Sequence, residues 1–388
     1  MHLGLFLDSA EPFLARELLV LQERGVPVTV MPCGQDVSVP GPVEAVFRGG
    51  ISLDAAASAA QIIQNPAASL RTMLRARNLM STARRELKAG YLARVVRRRG
   101  VSHLHGALSG EAAELAAMVS ALTGIPFSFT AHGADLFIHN PGLRDKIRHA
   151  TAVRATTEFA ARELRERFPA NAGVIHCIRP AAGAVEEAAS PPEAAAGPPF
   201  RIAAGGPFIS RSGLDQAIEA ACDLTRRGLE IDLVIAGTGP LAGDLLRHVE
   251  LRRAGGFVRI ETSGDYARAL AGAAVALAPC RRDRLGGIDP VPEFVLEAMR
   301  LGVPVVSTRL PGVDELIEDS RTGRLLEPDN AHELAEATAE LLADPLLRQL
   351  LAQAARRELA KRHDSGRQAG LLLGLYSMQS QPGAGGST

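Results

Sequence analysis

Short apolar runs alternate with helical stretches along most of the chain, and that alternation does most to restrict its fold. LGLFL (3–7), VPVTVMP (26–32), VSHLH (101–105) and IPFSFTAH (125–132) read as strands bounded by Gly and Pro. Amphipathic helical stretches such as 12–23 and 111–122 lie between them. Strand–helix alternation implies βαβ units and a parallel sheet. The stretch AAGAVEEAASPPEAAAGPPF (181–200) breaks the pattern with low-complexity Ala, Pro and Glu, and reads as a linker. The alternation then resumes through FRIAAGG, IDLVIAG, FVRIETS and AVALAPC. The expected fold is α/β, with two doubly wound domains facing each other: 1–180, then a linker over 181–199, then 200–365. Ligands of such sheets bind in the crevice at the carboxyl ends of the strands, so the site is expected between the domains.

Composition removes other classes. With 388 residues, 46% of them hydrophobic, and 43 basic side chains balancing 43 acidic ones, the chain has ample core and is not disordered as its main state. No apolar run reaches the 18 residues of a membrane span. The start MHLGLFLD lacks a basic lead and meets Asp8 early, as a buried strand does and a signal peptide does not. Cys33, Cys177, Cys222 and Cys280 are scattered without a CxxC pair, which speaks against a disulfide scaffold or zinc site and for a reducing, cytoplasmic setting.

The charge is uneven. Residues 1–180 hold 21 Lys and Arg against 15 Asp and Glu, a net of +6. Arg71 to Arg99 alone contains ten basic residues and one acid, Glu86. On a long helix these would suit an anionic membrane surface, such as the inner face of the cell membrane. Nucleic acid is the competing partner, but interleaved aromatics for stacking are missing. A plainly solvated helix face is the third reading.

Four local signals carry possible chemistry. IAGTGPL (235–241) is a strand, a turn with Gly237 and Gly239, and a helix start; its backbone N–H groups suit a phosphate, although an ordinary βα turn also needs Gly. TAHGADL (130–136) places His132 at a strand end, as acid, base, hydrogen-bond donor or merely a structural histidine. His103 and His105 share one strand face, a conceivable metal pair without a neighbouring carboxylate. The strongest is DPVPEFVLEAMRLGVPVVST (289–308): Pro290 and Pro292 lead into a helix from about Glu293, and Gly302 closes it. Asp289 precedes that helix and Glu297 lies in its second turn, so its N-terminal N–H groups are flanked by two carboxylates. Such an end binds phosphate through N–H groups and sugar hydroxyls through carboxylates, although Glu297 on spacing alone equally suits a surface helix charge.

Taken together and in order, these segments resemble the retaining sugar-nucleotide glycosyltransferases of family four, which have the GT-B architecture of two Rossmann-like domains. LTGIPFSFTAHGADLF (122–137), IAGTGPL (235–241) and DPVPEFVLEAMRLGVPVVSTRLPGVDELIEDSRTGRLLEPDN (289–330) carry the resemblance, which is nearest to bacterial exopolysaccharide-type members. It implies that Glu297 holds the nucleotide ribose and Asp289 the donor sugar hydroxyls. Pro290, Val291, Pro292 and Glu293 would hold diphosphate and sugar, and His132 would lie against the transferred sugar. Gly206, Arg211, Gly237 and Gly239 complete the implied donor side; Glu11, Phe13 and His105 form the acceptor side. Retention is explained in this family by front-face attack, with the leaving diphosphate taking the proton, which needs no nucleophilic side chain and no metal or other cofactor. The implied partners are a nucleotide sugar and a glycan or lipid-linked acceptor, and a helix at about 366–378 is expected to cross back onto the first domain, before a tail at 381–388.

The chain also departs from the family pattern. In GGPFISRSG (205–213), Pro207 and Ser212 stand where relatives carry an Arg and a Lys, and Arg211 is the neighbouring charge. AEPF (10–13) keeps Glu11 and Phe13 but loses two hydroxyls, and HCIRPAAGAV (176–185) lacks the usual Gly-Val-Asp. A non-catalytic homologue that binds a partner or a sugar nucleotide is therefore the alternative, and other chemistry on the same fold, such as phosphorolysis or epimerisation, is the third.

Overall fold

The computed structural model describes residues 1–7, 12–33, 79–131, 133, 142–183 and 197–378. The first sheet comprises β1 (Leu3–Leu7), β2 (Val28–Pro32), β3 (His103–Gly106), β4 (Phe127–Ala131), β5 (Ala152–Ala155) and β6 (Ile175–Cys177), in the order β2-β1-β3-β4-β5-β6. The second comprises β7 (Phe200–Gly205), β8 (Ile231–Ala236), β9 (Val258–Glu261), β10 (Val275–Ala278), β11 (Val305–Thr308) and β12 (Arg324–Leu326), in the order β12-β11-β10-β7-β8-β9. Every named pair is parallel. Helices cover both faces of such sheets, which explains why strands such as LGLFL and VALA are apolar throughout and buried along their whole length. The helix Leu214–Arg226 shows the complementary pattern, burying Leu214, Ala217, Ile218, Ala221 and Leu224 at helical spacing.

Strand order reverses between β1 and β3 in one sheet and between β7 and β10 in the other. These are the switch points where loops diverge and leave a crevice at the carboxyl edge. The chain segment between the sheets is not purely exterior: Ala181 and Ala182 are buried, and they donate to the Glu17 carboxylate (3.3 Å) and the His363 carbonyl (3.1 Å). The last helix, Ser365–Tyr376, packs on Pro12–Glu23 of the first sheet's half, where Leu372, Leu375 and Tyr376 join Leu3, Leu21 and Ile178 in one apolar cluster.

The basic stretch lies partly in the helix Leu79–Arg98; Arg71, Arg75 and Arg77 fall outside the described residues. Several of its charges are engaged. Arg85 pairs with Glu114 at 3.0 Å, Lys88 donates to the Cys33 carbonyl at 2.5 Å and lies 3.4 Å from Glu111, and Arg97 donates to the Leu122 carbonyl at 2.8 Å. Among the described residues no helix is long and apolar enough to cross a membrane.

His103 and His105, a conceivable metal pair on spacing with His105 an acceptor-side candidate, are both buried, with their rings against Tyr376 of the last helix. The Ser128 hydroxyl lies 2.8 Å from His103 Nε2 and 2.8 Å from His105 Nδ1, and Thr130 lies 3.1 Å from His105 Nε2. Tyr376 covers both imidazoles, with ring centroids 5.4 and 5.1 Å away. Phe13 likewise faces inward, among Leu5, Leu7, Leu14 and Leu18, with the Arg154 guanidinium 5.6 Å from its ring centre. The alternation that puts a side chain on one strand face does not say whether that face meets a cleft or a helix.

Candidate active site

At the β7/β10 switch point, the loop after β10 runs from Pro279 into the helix Glu293–Leu301. Asp289 Oδ1 accepts the Val291 N–H at 3.2 Å, a turn that aims the chain at the helix. Pro292 occupies the capping position, and no side chain caps the helix there. The positive end of the helix therefore faces the loop without a side-chain cap, with the Val295 N–H already donating to the Pro292 carbonyl at 3.0 Å. At the other end Gly302, in the left-handed conformation at φ 75°, stops the helix before β11.

The first half of the chain reaches this loop directly. Gly133 packs so tightly on it that a Cβ there would lie 2.5 Å from the Ile288 carbonyl and 2.6 Å from Pro290 Cδ. The residue beside His132 thus touches the residue beside Asp289, and the two motifs meet across the crevice. His132 itself and Glu11 lie outside the described residues.

Glu297 is almost wholly buried, on a helix whose Phe294, Val295, Leu296, Ala298 and Met299 are buried too. A carboxylate there requires compensation. Arg300 supplies it from the same helix, donating from Nε to Oε2 at 3.0 Å and from Nη2 to Oε1 at 2.5 Å. Arg16, on the helix Pro12–Glu23, donates to Glu297 Oε2 at 3.0 Å and also bonds Glu293.

The loop after β7 carries Gly206 and the short turn Ser210–Ser212. Its departures prove to be mutually satisfied: the Ser212 hydroxyl donates to the Pro207 carbonyl at 2.6 Å. Arg211 is about one-third exposed and stands 3.5 Å from Asp283. Arg281 ties this loop to the end of β10, its N–H donating to the Arg211 carbonyl and its Nε to the Ser210 carbonyl, both at 2.9 Å. Its guanidinium also takes Asp215 through two bonds of 2.8 and 3.0 Å.

At the turn of Gly237 and Gly239, the Gly237 N–H donates to the Glu261 carbonyl at 3.1 Å. Both glycines make room for Phe208; a Cβ on Gly239 would lie 2.7 Å from the Phe208 carbonyl. Arg16 and Arg281 are the residues that sequence reasoning missed. For Arg281 a signal existed, since it opens the run RRDR immediately after a strand at a switch point; for Arg16, a single charge on an amphipathic helix, there was none.

Comparisons with known proteins agree with this architecture. Residues 199–344 match the sequence model of the family described as Glycosyl transferases group 1. Over 303 residues the chain is 28% identical to the alpha-D-kanosaminyltransferase of Streptomyces kanamyceticus, spanning 71% of this chain and 76% of that protein. It is 31% identical over 140 residues to the amylovoran biosynthesis glycosyltransferase AmsK of Erwinia amylovora, spanning 35% of this chain and 34% of that one. In shape it is similar to Anabaena HepE, solved in complex with UDP-glucose, with a TM-score of 0.68 at 14% identity over 96% of this chain and 99% of that chain. Residues 199–344 match a glycosyl transferases group 1 domain, and the chain as a whole shares the two-domain fold of structures such as HepE.

Proposed function

We propose that the chain is a retaining, metal-independent hexosyltransferase that moves a sugar from a nucleotide-sugar donor to a glycan or lipid-linked acceptor in cell-surface polysaccharide synthesis. One observation carries this reading: Asp289 and Glu297 flank the end, without a side-chain cap, of a helix at the β7/β10 switch point, and Gly133 closes on Pro290 beside them. The relative named for amylovoran biosynthesis and the UDP-glucose seen in HepE support the product and donor classes.

In this reading Glu297 accepts the ribose hydroxyls and Asp289 the sugar hydroxyls. The Pro290–Glu293 backbone and the helix end receive the diphosphate, with Arg211 as the nearest available charge of that loop. His132 bonds a hydroxyl near the reacting carbon. The acceptor hydroxyl attacks on the face from which the diphosphate leaves, and the departing phosphate oxygen takes its proton. Peripheral contact with an anionic membrane through the Arg71–Arg99 stretch is part of the proposal, and liposome pelleting that weakens when Arg97, Arg98 and Arg99 are neutralised is its check.

Calorimetric titration with UDP-, GDP-, ADP- and dTDP-sugars tests the core of it. Binding of one donor, lost in Glu297→Ala, is the expected result; no binding to any donor overturns the reading. The Ser212–Pro207 bond favours a second reading, a non-catalytic homologue that binds a partner, because the loop has filled itself with its own hydrogen bond where relatives keep two cations. In its partner-only form, that reading predicts no donor binding and no effect of Glu297→Ala.

A further inference from the structure

Arg16 and the helix Glu293–Leu301 stand in a relation that the proposed chemistry does not by itself require. Arg16 lies one turn into the helix Pro12–Glu23, which follows directly on the acceptor-side Glu11. Its guanidinium crosses to the second sheet's half and spreads over two carboxylates, Nη1 on Glu293 and Nη2 on Glu297. Those two acids are four apart on one helix, the spacing at which like charges repel, and the fork of an arginine fits between them where a lysine reaches one at a time. Arg300 completes a quartet of two cations and two anions.

The bonding leaves room for a ligand. A carboxylate has about four acceptor positions. On Glu297, Oε2 receives both Arg16 Nη2 and Arg300 Nε, while Oε1 receives Arg300 Nη2. Oε1 therefore keeps a position at which a sugar hydroxyl can bind while Arg16 stays where it is. Arg16 need not leave when a nucleotide arrives, and it holds the helix beside the acceptor loop at a set distance from the helix that would carry the donor.

We propose that Arg16 is a positioning residue for sugar transfer: by joining Glu293 and Glu297 to the acceptor-side helix, it sets the gap across which acceptor and donor meet. The proposal rests on the donor-site reading given above. A misplacement of about 1 Å between reacting groups commonly costs about 100-fold in rate, so a residue of this kind acts on turnover more than on affinity.

Small-angle scattering of the donor-free protein, paired with steady-state kinetics and calorimetry on the same variants, decides the matter. Arg16→Ala is expected to enlarge the radius of gyration, to lower kcat on the order of 10- to 100-fold, and to leave donor Kd within about threefold. Arg16→Lys, which keeps the charge and tests the effect should the alanine variant not fold, is expected to fall between Arg16→Ala and the parent. Unchanged scattering with unchanged kcat overturns the proposal. So does a loss of donor affinity as large as the loss of rate, since that assigns Arg16 to donor binding. If the parent protein neither binds nor transfers any sugar, the glycosyltransferase reading fails. The scattering comparison then still separates an arginine that holds the halves together from one that does not.

Discussion

Arg154 holds Glu17 by two hydrogen bonds across 137 residues of sequence, Nη1 to Oε2 at 2.8 Å and Nη2 to Oε1 at 2.6 Å. Arg154 is fully buried, and two more of its donors meet the carbonyls of Ile178 at 2.9 Å and Arg179 at 3.1 Å, where the chain leaves the first sheet. Burial pulls the guanidinium pKa down, but the charge and bonds of Glu17 outweigh it, so Arg154 stays charged. Removing one partner of such a pair strands the other. Glu17→Ala is expected to cost about 3–5 kcal/mol in urea unfolding, while an apolar replacement of both residues recovers most of that loss. A single-variant cost below about 1 kcal/mol contradicts this account.

Glu315 caps a helix from the other half of the molecule. It lies in the short helix Val313–Leu316, yet it accepts the N–H groups of Glu158 at 2.9 Å and Phe159 at 2.7 Å, and Arg179 pairs with it at 3.1 Å. The helix Glu158–Arg167 thus has two caps, its own Thr157 on the Ala160 N–H and a carboxylate from across the junction. Replacing Glu315 with Ala is expected to cost about 1–2 kcal/mol and to speed amide exchange at Glu158 and Phe159. Unchanged exchange at those two amides counts against the cap.

Three buried histidines make stability depend on pH. Burial lowers the His103 pKa from 6.5 to about 4. Burial first, then the charges of Arg154 and His103, holds His105 well below its ordinary value. Burial also brings His363 down to about 4, against the opposing bond of its Nδ1–H to the Pro180 carbonyl. Each ring binds a proton more readily in the unfolded chain than in the folded one. Their contribution is therefore complete above pH 6.5 and falls as the pH drops toward 4, on the order of 3 kcal/mol each for His103 and His363. Urea midpoints measured between pH 4 and 7 are expected to rise with pH, and His363→Gln to flatten the slope; an equal slope in that variant rejects its share.

Most strands of both sheets were legible from residues alone, because strands buried on both faces are largely apolar, as LGLFL and VALA are, while the short strands AVRA, with its buried Arg154, and RLL were not. The helix at Glu293 was legible for a similar reason: Pro292 and Gly302 punctuate it chemically. Contacts distant in sequence were not. Arg16 meets Glu297 over 281 residues, and nothing on an amphipathic helix says which of its charges will find a partner there. His105 shows the converse limit. Its place on a strand is clear from the pattern, but whether Tyr376 or a ligand lies over it depends on where the last helix docks. Gly237 and Gly239 mark a turn by pattern alone, and the close approach of Phe208 to both is a contact the pattern could not give.

Gly133 offers the sharpest test of the crevice. It is buried where the first half of the chain leans on Ile288 and Pro290, and Pro290 is in turn backed by Gly312, where an added Cβ would lie 2.5 Å from Pro290 Cβ. The proline ring is thus gripped between two glycines and has little room to retreat. Gly133→Ala adds one methyl group facing a backbone carbonyl and that ring, so the two halves must separate by a few tenths of an ångström or more. Because the strain falls on the crevice and not on either apolar core, the thermal midpoint is expected to fall by only a few degrees. Transfer is expected to drop on the order of tenfold or more, through kcat. The same substitution at Gly243, which has open space around it, serves as the control. Full activity in Gly133→Ala is the outcome that separates the crevice from the chemistry.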